Sequence, residues 1–542
     1  MLSPDPKEHA VGITGDWDRR ISRRTLLKTG GSFAAGITLA GIAGGPAFGQ
    51  AIFPDDPFTL GVASGDPSPT GVVLWTRLAP NPLAVGGGMP SEPFEVEYEL
   101  SQDADFHAIV RKGSTVALPD EAHSARAEIQ GLGPEHEYYY RFRAGSWISP
   151  VGRTRTRPNG NSMVRSLTFA FVSCQNFAEG YFTPYDEVAA SEDIETVIFL
   201  GDYIYEGKNS RVRTHMPDLA IQTLDDYRIR HGQYKTDPAL QKAHAAHPWL
   251  ITRDDHEFAN NYADDDLDPN PAGGAAAVLV RRAAAYRAFW EHMPLARARK
   301  PVGPDLQLYR RFRWGQMATF NVLDGRQYRS DQTATCARRD PSGYCVEHLD
   351  PSRTMLGAEQ RDWLFEDLAG SKARWNVLAQ QTAFAPLNGG LTDPPRFSGA
   401  GADNWEGYVA ERQAIIDWAV EHQTPNFVVL TGDSHRNWVR NIPRHYSSLE
   451  NPMGVEFLGT SVSTGGDPPE NDRELLFHRD NNPQLLLQNN NRGYCKCTLT
   501  EDTWTSEYRI VSTVLKPTAT VSSLATFVVE NGVAGATRVA PA

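Results

Sequence analysis

The chain has 542 residues, 40% hydrophobic and 22% charged, which suits a large globular catalytic domain with one smaller companion and excludes a disordered chain. Its formal net charge of −13 leaves no general excess of Lys and Arg, so nucleic acid is not expected as a partner and no nucleic-acid-binding surface is evident. A small anionic substrate stays open, because a bound cation can reverse the local field.

Residues 1–49 read as a twin-arginine signal peptide. Ser22-Arg23-Arg24-Thr25-Leu26-Leu27-Lys28 is followed by a weakly apolar Gly/Ala-rich stretch from Thr29 to Ala43, then by the small-x-small site Ala47-Phe48-Gly49. The apolar stretch is too short and glycine-rich for a stable span, and no later segment reaches about 20 apolar residues. The expectation is export through the twin-arginine translocase to a periplasmic or extracellular location, with no transmembrane span in the mature chain.

Residues 50–158 read as β-rich. Gly71–Arg77 and Phe94–Leu100 have strand patterns, the second with clear alternation. Ala127–Pro134 followed by Tyr138–Phe142 resembles the late hairpin of a fibronectin-type sandwich, so an N-terminal immunoglobulin-like β-sandwich is expected. The polar linker Thr154–Asn161 precedes a second region, 162–542. There, strand-like runs at Leu167–Val172, Glu195–Leu200, His247–Thr252, Met317–Leu323, Trp375–Ala379 and Asn426–Thr431 are interspersed with helical patterns such as Val278–His292 and Gly357–Leu368. This predicts a layered α/β domain.

There are five cysteines. Cys336 and Cys345 flank a short loop and could pair in an oxidising compartment. Cys495 and Cys497 share a strand face, where a mutual bridge is not expected. Cys174 has no evident partner and needs another explanation.

Polar residues collect just past the strands. Ser173-Cys174-Gln175-Asn176, Gly201-Asp202-Tyr203-Ile204-Tyr205-Glu206, Arg253-Asp254-Asp255-His256-Glu257, Asp324-Gly325-Arg326 and Gly432-Asp433-Ser434-His435 each follow one. Ligands of α/β sheets bind beyond the carboxyl ends of strands. Carboxylate, imidazole, phenolate and thiolate together can hold a trivalent ion beside a divalent one. Two cations can offset charge on phosphoryl oxygens and activate a water, which points to phosphate-ester chemistry. Taken singly, each motif is more simply a turn, a cap or a buried small hydrophobe; the weight lies in the set.

That set resembles the alkaline phosphatase D family, relatives of the purple acid phosphatases. It comprises Gly61-Val-Ala-Ser-Gly-Asp-Pro67, Val73-Leu-Trp-Thr-Arg77, Phe171-Val-Ser-Cys-Gln175, Leu200-Gly-Asp-Tyr-Ile-Tyr-Glu206, Asp254-Asp-His-Glu257, Arg326-Gln-Tyr-Arg329, Asp403-Asn-Trp-Glu-Gly-Tyr408 and Gly432-Asp-Ser-His435. The resemblance implies a four-layer αββα metallophosphoesterase domain behind the β-sandwich, and an Fe(3+)/Ca(2+) site. It implies Cys174, Asp202, Tyr205 and His435 as iron ligands, with Asp202 bridging to calcium and Asp255 and Asp433 on the calcium side. Gln380, next to Gln381, is implied as a further ligand of the second metal. His256 is implied beside the leaving group or the phosphoryl oxygens, and Arg326 as a phosphate clamp. The sequence reads Asp324-Gly325-Arg326 where the family pattern has Asp-Thr-Arg. The implied activity is hydrolysis of phosphomonoesters or phosphodiesters, including phospholipid or wall-polymer diesters. The rival readings are a phospholipase D-like phosphodiesterase on the same fold and a wall-polymer-binding protein with structural metals.

Overall fold

The run Phe94–Leu100, which alternates polar with apolar, folds as a half-exposed strand, whereas the continuous apolar run Leu167–Val172 is buried on both faces. The structure, a computed structural model, describes residues 53–267, 271–388, 397, 399, 401–469 and 482–539; the twin-arginine segment lies outside them. Residues 50–542 form one compact unit. No helix among the described residues is long and apolar enough to cross a membrane.

The first strands are β1 (Val62–Ser68), β2 (Gly71–Arg77), β3 (Phe94–Ser101), β4 (Ile109–Ala117), β5 (Ser124–Gln130), β6 (Glu137–Ala144), β7 (Trp147–Ile148) and β8 (Gly152–Arg155). β9 (Ser166–Val172), β10 (Thr196–Phe199) and β11 (Pro248–Ile251) follow, with helices α1 (Pro184–Ala190), α2 (Leu224–Lys235), α3 (Pro238–Ala246) and α4 (Gly274–His292). Next come β12 (Arg310–Trp314), β13 (Ala318–Val322), β14 (Trp375–Ala379), β15 (Phe427–Thr431), β16 (Asn437–His445), β17 (Ser448–Leu458) and β18 (Leu485–Asn489), with α5 (Gly357–Gly370) and α6 (Val409–Glu421). The last strands are β19 (Gly493–Thr500), β20 (Thr503–Val511), β21 (Val521–Glu530) and β22 (Thr537–Val539).

These strands build three sheets. One is ten-stranded, in the order β22-β21-β20-β19-β9-β10-β11-β1-β2-β5. The second is seven-stranded, β12-β13-β14-β15-β17-β16-β18, and the third is small, β4-β3-β6-β7 with β8 on β6. β9, β10 and β11 are mutually parallel, as are β13, β14 and β15.

Period-2 alternation decides which face of each strand goes where. Phe169 and Phe171 of β9, with Ile198 and Leu250, pack against Phe320, Val377 and Val428 of the seven-stranded sheet. Ala170 and Val172, on the opposite face of β9, pack with α1, α2, α3 and α4. Leu378 and Val429 of the second sheet likewise pack with α5 and α6.

Two expectations about the N-terminal stretch change. The 127–134 and 138–142 segments are not a hairpin: β5 pairs with β2, while β6 pairs with β3 in the other sheet. The chain crosses between sheets there, held by Leu132 N–H on Thr70 O at 2.9 Å and Gly133 N–H on the Tyr138 hydroxyl at 3.1 Å. One core of side chains from β1, β2, β3, β5 and β6 fills the space between the two sheets. The second change is that β1 pairs in parallel with β11, so strands of the 50–158 stretch extend the sheet that carries β9–β11. Cys336 and Cys345 are disulfide-bonded. Cys495 and Cys497 are buried free thiols with their Sγ atoms 3.9 Å apart, and Cys174 is also free.

A buried cation ties the N-terminal strands to α2. Lys235, 2% exposed, places its ammonium 4.4 Å from the ring centre of Trp75 on β2 and 5.2 Å from that of Tyr203. Burial pushes this ammonium down to about 7. Between that value and the ordinary lysine value of about 10.4, the unfolded chain holds a proton that the folded chain does not. Stability therefore rises with pH across this window, by up to about 1.4 kcal/mol per pH unit. Lys235→Met is expected to remove this slope: the wild-type urea midpoint should gain on the variant's between pH 7 and 10, and parallel midpoints would refute a buried, titrating Lys235.

Candidate metal centre

The parallel strands of both sheets deliver their carboxyl ends to one place, and the backbone turns sharply after β9, β10 and β15. Cys174 (φ 58°), Asp202 (φ 60°), Asp433 (φ 61°) and His435 (φ 55°) are all left-handed. This conformation costs a residue with a Cβ about 1–2 kcal/mol, so four such residues at strand ends mark a geometry imposed by the surrounding structure. Backbone bonds fix it: Cys174 N–H donates to Gly201 O at 3.0 Å and Gln175 N–H to Asp202 O at 3.1 Å. Glu257, following the β11 end, accepts from Asp202 N–H at 3.1 Å and Asp254 N–H at 2.8 Å.

Three groups of donors result, each with its ligand atoms within 4.8 Å of one another: Cys174, Asp202 and His435; Asp202, Asp255 and His256; Asp254, Asp255 and Asp433. Asp202 links the first two groups and Asp255 the last two. The Tyr205 hydroxyl joins the first, donating to Asp202 Oδ2 at 2.8 Å and lying 3.2 Å from His435 Nε2. Thr464 braces this corner: its hydroxyl lies 2.9 Å from the Tyr205 oxygen and 2.7 Å from Cys174 O. Arg492 braces the other side, donating to His435 O at 2.6 Å and Ser461 Oγ at 2.9 Å.

The electrostatics are those of an anionic site short of positive charge. Burial, then the neighbouring Asp202, pushes the Cys174 thiol and the Tyr205 phenol well above their ordinary ranges. Burial also raises Asp202 and Asp433 far above the carboxylate range and lifts Asp254 to about 6. Asp255 is held low against its burial by Arg326 and His256. Burial lowers His435 to about 3, leaving a neutral imidazole suited to ligation. A cation within reach would supply the missing countercharge and favour thiolate, phenolate and carboxylate forms. The residues present therefore fit a metal site.

Two residues carry contacts that the sequence reading did not anticipate. Arg326 is 0% exposed. It donates through Nε to Asp254 and through Nη1 to both oxygens of Asp403, at 2.8 and 2.7 Å. Nη2 has no hydrogen-bond partner among the described residues and lies 3.7 Å from both Asp255 and Asp433. It is thus a buried counter-ion for the acidic cluster, and a phosphate clamp as implied by the resemblance would have only Nη2 to offer. Gln380 spends its amide locally: the oxygen accepts from Trp405 Nε1 at 3.1 Å and Thr382 N–H at 3.2 Å, and the nitrogen donates to Thr382 O. To meet a cation, that oxygen would have to surrender one of these bonds. Gln381 is committed as well, accepting from Gly325 N–H at 2.9 Å and donating to Leu323 O at 2.8 Å. A Cβ at Gly325 would sit 3.0 Å from that Gln381 oxygen, which gives a steric reason for glycine where the family pattern has threonine.

The sequence reading gave no role to Asp254, Asp403, Glu206, Glu257, Thr464 or Arg492. Asp254, Glu257, Glu206 and Asp403 lie inside the strand-end and family motifs, which is their signal in the sequence. Thr464 and Arg492 carry no such signal.

A thiol, a phenol, two imidazoles and four carboxylates gathered at the carboxyl ends of two sheets are a donor set of the kind that metal-dependent hydrolases use. The sequence model of the PhoD-like phosphatase family matches residues 169–508, and that of its N-terminal domain matches residues 45–158. The chain is 44% identical over 529 residues to alkaline phosphatase D of Bacillus subtilis (strain 168), covering 95% of this chain and 89% of that protein. It superposes on a solved PhoD structure with a TM-score of 0.85 at 44% identity, over 91% of this chain and 94% of that one. The chain belongs to the PhoD-like phosphatase family.

Gly201 is the most constrained position of the site. Its φ is 116°, and a Cβ there would fall within Asp254. Gly201→Ala is expected to cost about 2–4 kcal/mol from backbone strain and overpacking together, read as a lowered urea midpoint with activity lost in the folded fraction. An unchanged midpoint would contradict this packing.

Proposed function

We propose that this chain is an exported, metal-dependent phosphoesterase of the alkaline phosphatase D type, hydrolysing phosphomonoesters, phosphodiesters or both. The carrying observation is the pair of shared carboxylates, Asp202 and Asp255, which join three donor groups into one continuous site. Family membership supplies the reaction class, phosphoric-ester hydrolysis.

In this reading Cys174, Asp202, Tyr205 and His435 hold Fe(3+). Asp202 also faces Ca(2+), held with Asp255 and Asp433, and Asp254 is added to this side because it shares their group. Gln380 is kept outside the ligand set in view of its local bonds. The bound metals would neutralise phosphoryl oxygens and make a water more acidic. The protein's own residues do the rest. His256 faces the leaving group, Arg326 holds Asp254 and Asp403 in place, and the hydroxyl of Thr464 orients Tyr205. The architecture is read as a four-layer αββα domain behind an N-terminal β-sandwich, supported by the helices packed on the outer face of each large sheet. The boundary is read between 158 and 162; the N-terminal family model ends at 158 and the phosphatase model begins at 169. Residues 1–49 are read as the twin-arginine signal.

Asp202→Ala is expected to remove bound metal and turnover together, measured by elemental analysis and p-nitrophenyl phosphate hydrolysis. A folded variant with unaltered turnover would refute the site and favour a binding protein with structural metals. Phenolate and thiolate bound to Fe(3+) both absorb visible light, so the purified protein should be coloured and Tyr205→Phe should shift and weaken its visible band. A colourless, iron-free, fully active protein would overturn the iron assignment. Assays on p-nitrophenyl phosphate, its bis ester and phosphatidylcholine sort the substrates; turnover of the lipid alone would favour the phospholipase D-like reading.

A further inference from the structure

The turn that delivers Tyr205 also delivers Glu206, and nothing in the proposed ligand set uses it. Its Oε2 lies 2.7 Å from Nδ1 of His256, while its Oε1 accepts from Asn260 N–H at 2.8 Å. Its backbone carbonyl accepts from Ile221 N–H at 3.0 Å, so the carboxylate is anchored from both ends. The His256 ring also faces Tyr205, with ring centres 4.2 Å apart and planes tilted by 32°. A rotation of the imidazole would break the Nδ1 bond and this ring contact together. Nε2 has no hydrogen-bond partner among the described residues, and the His256 side chain is 20% exposed against 13% for Glu206. The ring therefore carries one committed nitrogen and one available nitrogen, beside the Asp202 and Asp255 group.

We infer that Glu206 is the positioning residue of the reaction: it holds Nδ1–H of His256 so that Nε2 is fixed as the hydrogen donor to the leaving oxygen. The inference rests on the reading of His256 as the group beside the leaving oxygen. In the step it serves, the oxygen of water bonds to phosphorus as the P–O bond to the alcohol breaks. The leaving oxygen takes the proton from Nε2, and the ring keeps Nδ1–H on Glu206. The proton of the attacking water passes to solvent, from which Nε2 is reprotonated, so the net reaction is ester plus water to alcohol plus phosphate. The donating ring is therefore the doubly protonated imidazolium, whose charge the Glu206 carboxylate offsets and whose direction it fixes.

The test compares leaving groups. A p-nitrophenolate departs with little protonation, whereas an alkoxide needs a proton as it leaves. On matched p-nitrophenyl and alkyl esters of the phosphate class turned over, Glu206→Ala is expected to lower kcat about 10²-fold for the alkyl ester and under about 3-fold for the aryl ester. Glu206→Gln, which keeps an acceptor oxygen, is expected to lie between the wild type and Glu206→Ala on the alkyl ester. Metal content should match the wild type in both variants. Equal losses on the two leaving groups, loss of metal, or full activity of Glu206→Ala on alkyl esters would each overturn the positioning role. His256→Asn separates the two levels. If it retains full activity on alkyl esters, the reading of His256 fails; if it loses activity while Glu206→Ala does not, only the inference about Glu206 fails.

Discussion

Too many acids share one buried place, and the rest of the molecule is arranged around that fact. Asp202, Asp254, Asp255 and Asp433 converge with Cys174 and Tyr205 where water is scarce, and burial raises most of them toward their neutral forms. Burying like charges together is expensive unless positive charge is supplied. Arg326 supplies one such charge from within the protein, braced by Asp403 and facing three of the carboxylates. The remaining demand is what makes the site receptive to cations.

The fold meets this demand by convergence of strand ends. Two sheets share an inner core of Phe169, Phe171, Phe320, Val377 and Val428, which holds them face to face. The parallel strands β9–β11 and β13–β15 then end close together, and left-handed residues turn their side chains into the common space. A stiff apolar interior and a strained polar rim are thus two halves of one device, since packing holds in place a backbone that would not hold itself.

Much of this was legible in the sequence, for a physical reason. Buried parallel strands read as unbroken apolar runs, and polar residues that stop such a run sit by necessity at its end. Cys174, Asp202, Asp255, Asp433 and His435 could therefore be placed together without any contact being seen. What stayed hidden depends on pairing across long separations. The crossing from β5 to β6 looked like a hairpin because two strand patterns flanked a Gly-Pro turn, and only the partners chosen by each strand distinguish the two outcomes. The counter-ion role of Arg326 stayed hidden because its four carboxylate neighbours, Asp254, Asp255, Asp403 and Asp433, come from three other segments. Gln380 looked available because the indole that occupies its oxygen belongs to Trp405.

The pairing of β1 with β11 has a consequence for how the molecule comes to be. Ser64 and Pro248 are register partners, so the sheet is completed at that side by a strand made long before its neighbour. Without β1, the row of backbone donors and acceptors on β11 would stand open to any passing extended chain. The N-terminal stretch therefore acts as a built-in guard against misassembly. Because the contact spans so much sequence, a large loop must close before it forms, which slows that step. A polypeptide caught before that closure carries an adhesive edge, and the interval is one in which protection by a chaperone would matter most.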